Sequence, residues 1–318
     1  MTAISGKIGI TKRPGELGIH SMDSFNMTVP DLQVAEKFYK SFGLNVKEEG
    51  NGLGLYTFDS DRCWVSIDEG AKKKLNHLTF SVFEEDFSPL KKRVENDGIK
   101  LLDAPHGFDS AGIWFYDHNN VLIEVKVAPK RSPNEKSNFE CLSVPAGQAA
   151  ATTRSKAQTV EPIRLAHVLI FTTNVIKAIE FYHRILGLRL SDQSGDGICF
   201  MHGIHGSDHH LVAFAKSNAP GLHHCSWDVG SINEIGLGAM QMADNGYEKG
   251  WGLGRHVLGS NYFHYVRDPW GSYSEYSADI DYIPADKDWQ SGDYLPEDSI
   301  YLWGPSIPKD FVHNYESD

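Results

Sequence analysis

The stretch Asp31-Leu-Gln-Val-Ala-Glu-Lys-Phe-Tyr39, closing in Phe42-Gly-Leu44, returns as Asn174-Val-Ile-Lys-Ala-Ile-Glu-Phe-Tyr182, closing in Leu186-Gly-Leu188. In both copies apolar residues recur at helical spacing, and a glycine follows where a left-handed C-cap belongs. Each predicted helix is preceded by a short strand-like run, at 24–29 and 165–172. The phenylalanines Phe38 and Phe181 stand 143 residues apart. A second pair of stretches, Leu75-Asn-His77-Leu-Thr-Phe-Ser-Val82 and Leu222-His-His224-Cys-Ser-Trp-Asp-Val229, matches at an offset of 147. A third joins Ile113-Trp-Phe-Tyr-Asp117 and Glu124 with Phe263-His-Tyr-Val-Arg-Asp268 and Glu275, at 151. Three offsets that drift slowly and keep their order indicate a duplicated unit with small insertions.

Each half therefore reads as two modules of one strand, one helix and several strands, about 50 residues per module. This predicts an α+β chain with a first domain at 1–130, a connector at 131–161 rich in Pro, Ser, Thr, Ala and Lys, and a second domain at 162–282. The turn Arg267-Asp-Pro-Trp-Gly271 supplies the residues of a tight connection between two aromatic-rich strands. The tail at 283–318 is acidic but carries Trp289, Tyr294, Tyr301, Trp303 and Phe311, which predicts that it packs back on the body, either as a lid or as plain packing.

Bulk properties narrow the partners. A formal charge of -12 over 318 residues argues against nucleic acid or an anionic membrane, because phosphate is bound by basic faces. No apolar run reaches the length of a membrane span, and residues 1–16 lack the apolar stretch of a secretory signal. Cys63, Cys141, Cys199 and Cys225 show no metal or redox spacing, as expected of isolated thiols in a cytoplasmic protein.

His167, His224 and Glu275 lie on three predicted strands at places set by the repeat. Along 165–171, alternation puts His167 on a face with Leu165, Leu169 and Phe171. In the next strand it puts His224 with Ser226 and Asp228, opposite Cys225, Trp227 and Val229. A carboxylate such as Glu275 in a half-buried strand costs several kcal/mol unless compensated, which a divalent cation does well. Two imidazoles and one carboxylate can hold one face of Fe(II) and leave the other open, with Mn(II) the next candidate. The first half keeps His77 and Glu124 but has Ser24 where His167 stands, so no metal is expected there.

The run Gly254-Arg-His-Val-Leu-Gly-Ser-Asn-Tyr-Phe-His-Tyr-Val-Arg-Asp-Pro-Trp-Gly-Ser-Tyr-Ser-Glu-Tyr276, together with His167, His209-His210 and His223-His224, resembles the signature of type I extradiol ring-cleaving dioxygenases of the vicinal oxygen chelate superfamily. The resemblance covers most of 162–277, while the first half matches only in architecture. It implies paired βαβββ modules forming cupped, barrel-like mixed sheets. It implies His167, His224 and Glu275 as Fe(II) ligands, His210 as the acid–base residue, Tyr265 as hydrogen-bond partner of the bound substrate oxygen, and His256 as a pocket residue. The implied reaction inserts both atoms of O2 into a catechol beside its hydroxyls, within aromatic breakdown, in a symmetric homo-oligomer. His202, His209 and His223 read as structural. Where a subset of the family carries a second histidine after His256, this chain has residues around Ser260, and no Arg or Lys stands out to clamp a substrate carboxylate. The competing readings are a glyoxalase-like isomerase or metal-dependent transferase of the same superfamily, which needs no counterpart of His210 or Tyr265, and a non-catalytic binding module, which lacks the ligand triad.

Overall fold

The duplicated stretches are helices with the same two ends. In α1 (Leu32–Ser41) the Asp31 carboxylate accepts from the Val34 amide at 2.9 Å, and in α3 (Val175–Leu186) Asn174 does the same for Lys177 at 2.9 Å. These bonds satisfy amides that have no partner inside the helix. Gly43 at φ +95 and Gly187 at φ +73 turn the chain off each helix in the left-handed region. The computed structural model describes residues 9–108, 111–141 and 143–317. Residues 1–8, within the stretch read above as no secretory signal, lie outside the described residues, as does the last residue of the tail.

The first lobe runs β1 (Ser21–Val29), α1, β2 (Asn45–Glu49), β3 (Gly52–Tyr56), β4 (Val65–Glu69), then β5 (Lys74–Val82), α2 (Glu84–Asn96), β6 (Ile113–Tyr116) and β7 (Leu122–Val127). The second runs β8 (Arg164–Thr172), α3, β9 (Arg189–Ser194), β10 (Ile198–His202), β11 (Ser207–Asp208), β12 (Val212–Lys216), then β13 (Gly221–Asp228), α4 (Ile232–Asp244), β14 (Gly250–Arg255), β15 (Tyr262–Arg267) and β16 (Tyr273–Ala278). β17 (Tyr282–Ile283) and β18 (Gly292–Asp293) follow in the tail. One sheet is ordered β2-β3-β4-β1-β5-β7-β6 and the other β14-β15-β16-β13-β8-β12-β10-β9-β18. Both are mixed, with the first strands of the two modules antiparallel at the centre (β1 on β5, β8 on β13) and parallel pairs beside them. No helix among the described residues is long and apolar enough to cross a membrane.

The registers of the two centres agree. His167 faces Ser226, which faces Glu275, just as Ser24 faces Thr79, which faces Glu124. Both central pairs also carry bulges at matching places, so the offsets read from sequence survive into three dimensions. Two expectations fail. The second module of the first lobe has two strands after its helix rather than three among the described residues, with only a single bridge from Leu102 to Trp114. Pro105, which has no amide hydrogen, and Gly107 at φ +89 follow that bridge and end the pairing. Alternation also put Leu165 beside His167, but a bulge between the pairs Ser226–His167 and Trp227–Leu165 turns Leu165 into the main core with Val168 and Ile170.

The lobes share one apolar core, and the repeated Phe-Tyr pairs join them. Tyr39 of the first lobe reaches Ser274 in β16, while Tyr182 of the second donates to Asp117 of the first at 3.1 Å. Phe42 stacks on Tyr276 at 3.9 Å between centroids and 5° between planes, and the Tyr276 hydroxyl donates to the Phe42 carbonyl at 2.7 Å. Phe42→Ala should therefore cost about 3–5 kcal/mol, the usual loss for a buried aromatic. Denaturant unfolding followed by tryptophan fluorescence and by far-ultraviolet circular dichroism should give one shared, lowered midpoint. Two separate transitions in the parent chain would contradict a shared core.

Candidate active site

Three strands adjacent in the second sheet, β8, β13 and β16, carry His167, His224 and Glu275 onto one inner face. The Nε2 atoms of the two histidines lie 3.3 Å apart, and Oε2 of Glu275 lies 3.3 Å from the first and 3.6 Å from the second. All three side chains are buried, Glu275 completely, although a half-buried strand was expected there. This is the group among the described residues whose donor atoms could close on a metal ion. Ligand atoms of an octahedral divalent ion at about 2.1 Å lie about 3 Å apart, so the donor triangle fits with shifts of a few tenths of an ångström. Oε2 of Glu275 is buried without a well-aligned hydrogen bond from the protein, as a ligand atom awaiting a cation would be.

Electrostatics agree with that geometry. Burial alone would raise the Glu275 pKa, but His167 and His256 beside it hold the carboxyl well below its usual range. Burial, with His223 next, drives His224 well below the ordinary imidazole value, so it stays the neutral base that a metal requires.

The remaining predicted residues gather around the triad. His210 is buried, with its ring centroid 4.0 Å from that of His167. Tyr265 stands opposite Glu275 across β15 and β16, and its hydroxyl lies 3.0 Å from Nε2 of His256. Nδ1 of His256 donates to the carbonyl of Ile300 in the tail at 2.6 Å. Burial, then the charge of Glu275, pushes the Tyr265 phenol well above its ordinary pKa, which keeps it protonated.

Several participants escaped the sequence reading. A bulge between Leu222 and His224 turns His223 toward the cavity beside His224, with their Nδ1 atoms 2.7 Å apart and His223 Nε2 donating to the Phe311 carbonyl at 2.8 Å. Asn261 donates to Oε1 of Glu275 at 3.3 Å and to Ser277 at 2.9 Å. Its signal was available, since Asn261, Phe263 and Tyr265 alternate onto one face. The tail roofs the cavity with Ile300, Ile307, Phe311 and Val312. Leu169, Phe200 and Leu258 form much of the remaining wall, and among the described residues no Lys, Arg, Asp or Glu side chain lines the cavity.

The first lobe differs at the equivalent place. His77 packs edge-on against Phe108 and Trp114, and Glu124 accepts from the Thr79 hydroxyl at 2.8 Å.

Metapyrocatechase 2 of Cupriavidus necator is 51% identical to this chain over 299 residues, covering 94% of this chain and 93% of that protein. The chain belongs to the extradiol dioxygenases. The sequence pattern of the Glyoxalase/Bleomycin resistance protein/Dioxygenase superfamily matches residues 164–276 of this dioxygenase, the lobe that holds the triad. Homoprotocatechuate 2,3-dioxygenase of Brevibacterium fuscum, solved with 3,4-dihydroxyphenylacetate, superposes with a TM-score of 0.74 at 18% identity, covering 96% of this chain and 94% of that one. A Mn(II)-bound glyoxalase from Novosphingobium aromaticivorans superposes at 0.72 with 21% identity, covering 95% and 99%. At such identities the two structures bear on the fold, which is the mixed α+β architecture of the superfamily. The dioxygenase is metal-dependent.

If the second-lobe triad grips the ion, Glu275→Ala and His224→Ala should emerge from dialysis with little metal. His77→Ala and Glu124→Gln should keep the parent content. Elemental analysis of the four variants reads this directly, and metal loss on the first-lobe changes alone would locate the ion in the wrong lobe.

Proposed function

We propose that this chain opens the ring of an uncharged catechol beside its two hydroxyls, inserting both atoms of dioxygen, with a single Fe(II) held by His167, His224 and Glu275. Extradiol (meta) cleavage is the activity of its family, and Mn(II) is the alternative ion. The observation that carries the reading is a buried set of two histidines and one glutamate beside a cavity lined otherwise, among the described residues, by apolar side chains and by polar ones without a Lys, Arg, Asp or Glu. The same reading makes the protein a cytoplasmic homo-oligomer of aromatic breakdown, consistent with four unpaired cysteines.

Bound there, the ion supplies Lewis acidity toward the diol and a path for electrons between ring and dioxygen, using positions that three protein ligands leave free. The chain's own residues do the rest. Burial keeps His210 neutral, well below its ordinary pKa, so it can take a phenolic proton as the diol binds and return one later. Tyr265 and His256 form a hydrogen-bonded pair against Glu275 that can meet the charge on a substrate oxygen. Asn261 holds the second oxygen of Glu275, which fixes the carboxylate plane. The tail excludes water above the ring and so strengthens each of these interactions.

A glyoxalase-like isomerase would leave His210 and Tyr265 without work, and the 51% identity to a metapyrocatechase adds weight against it. Fe(II) and catechol combined under argon, then exposed to air, should give a yellow product with oxygen consumption. Turnover before air enters would favour the isomerase instead. His210→Phe should keep its iron and lose turnover by about 10²- to 10⁴-fold, the usual weight of a general acid–base. Loss of iron in that variant would contradict the role.

The lining also supports a substrate class. A carboxylate brought among Leu169, Phe200 and Ile307 would meet no cationic partner and cost several kcal/mol. Catechol and 4-methylcatechol should exceed 3,4-dihydroxybenzoate in kcat/KM by about 10²-fold or more, measured as oxygen uptake. Comparable values would refute an uncharged substrate.

A further inference from the structure

Behind His210 runs a line of buried hydrogen-bonding groups. Nδ1 of His210 lies 3.1 Å from Nδ1 of His209, and Nε2 of His209 lies 2.7 Å from Oδ2 of Asp192. His209 and Asp192 are both buried. The other partners of Asp192 are donors from the tail: the Gly292 amide reaches Oδ1 at 2.7 Å and the Trp289 indole reaches Oδ2 at 3.3 Å. His209 is pinned as well. Its amide donates to the Asp281 carbonyl at 2.6 Å, its own carbonyl accepts from the Ser191 hydroxyl, and Trp289 meets its ring edge-on at 5.4 Å.

The direction of every bond in this line follows from its far end. A carboxylate ringed by donors accepts and has no hydrogen to give. Nε2 of His209 must therefore carry the hydrogen, which in a neutral ring leaves the lone pair on Nδ1. That lone pair can only accept, so Nδ1 of His210 must donate. One ring nitrogen of His210 then remains, Nε2, with its lone pair free for the cavity that His210 lines. With an apolar residue in place of His209, nothing in the line would choose between the two tautomers of His210, and half of the choice presents an N–H where a base is needed.

We propose that His209 and Asp192 are positioning residues that lock His210 in its Nδ1–H tautomer and fix its ring angle, with the tail donors Trp289 and Gly292 holding the end of the line. The proposal rests on the reading of His210 as the proton acceptor. It overturns the view of His209 as a merely structural histidine, and it gives the tail a part in the chemistry through Asp192.

The test uses the full chain and two substitutions at one position. His209→Phe keeps a planar ring but removes the acceptor. His209→Asn puts a carbonyl oxygen near the place of Nδ1 and can accept from His210 without help from Asp192. For His209→Phe, kcat with catechol should fall by about 10²-fold while KM and iron content stay near the parent values. His209→Asn should recover most of that loss. Nitrogen-15 spectra of ring-labelled chain loaded with diamagnetic Zn(II) should show His210 as Nδ1–H in the parent and in His209→Asn, and as a mixture or Nε2–H in His209→Phe. An Nε2–H signal for His210 in the parent overturns the proposal whether or not any variant folds. So does a His209→Phe enzyme with the parent kcat, or a His209→Asn enzyme as slow as His209→Phe. His210→Phe assayed alongside separates the two levels: parent-like turnover there defeats the role of His210 itself, whereas slow His210→Phe beside fast His209→Phe defeats only the line behind it.

Discussion

A fully buried carboxylate with no Lys or Arg beside it among the described residues is the constraint around which the second lobe is built. Glu275 sits on the third strand of a nine-stranded sheet, and the groups nearest its Oε2 are two imidazoles. A buried carboxylate in a medium of low dielectric is costly unless it is compensated, and a divalent cation is a group that would compensate it well. The same constraint explains the neighbours. Asn261 takes the other carboxylate oxygen, β15 and β16 flank it, and burial holds the His224 imidazole well below its ordinary pKa. Stability and chemistry are thus coupled at one atom.

Duplication made such an arrangement affordable to build. Each lobe brings two first strands together antiparallel, flanked by parallel partners, and this topology points three strand positions at one spot. In the second lobe those positions are His, His and Glu. In the first they are Ser24, His77 and Glu124, and the interior has filled with Phe108 and Trp114 against the histidine ring. The lobes remain bound through Phe42 and Tyr276 and through the two tyrosines of the repeated helices, each reaching across to its neighbour.

Much of this was legible in the sequence because it is periodic. Helix starts and stops follow from Asp31, Asn174, Gly43 and Gly187, whose local chemistry decides the matter without tertiary help. The equivalence of Ser24 with His167 held because the bulges fall at matching places in both lobes and cancel in the comparison. Where a bulge acts within one strand, alternation fails. Leu165 changes face, and His223 joins His224 at the cavity. The roof was half legible: aromatic residues at 289–311 signalled packing, but the two carbonyls that matter, those of Ile300 and Phe311, belong to the backbone and leave no trace in residue identity. Asp192 was equally silent, one acid among 42 Asp and Glu residues until the sheet set it beside His209.

The roof has a consequence of its own. The segment that covers the cavity holds the orienting acceptors for His256 and His223 and two of the donors to Asp192. It is tied to the body by a two-residue strand on β9, by a bridge between Arg255 and Trp303, and by side-chain bonds such as Trp251 to the Pro305 carbonyl and Arg267 to Asp310. Any excursion wide enough to admit a diol or discharge its longer, ring-opened product therefore also dismantles the hydrogen-bonded scaffold around the histidines. An opened roof and an intact scaffold around the histidines are thus mutually exclusive states of one molecule.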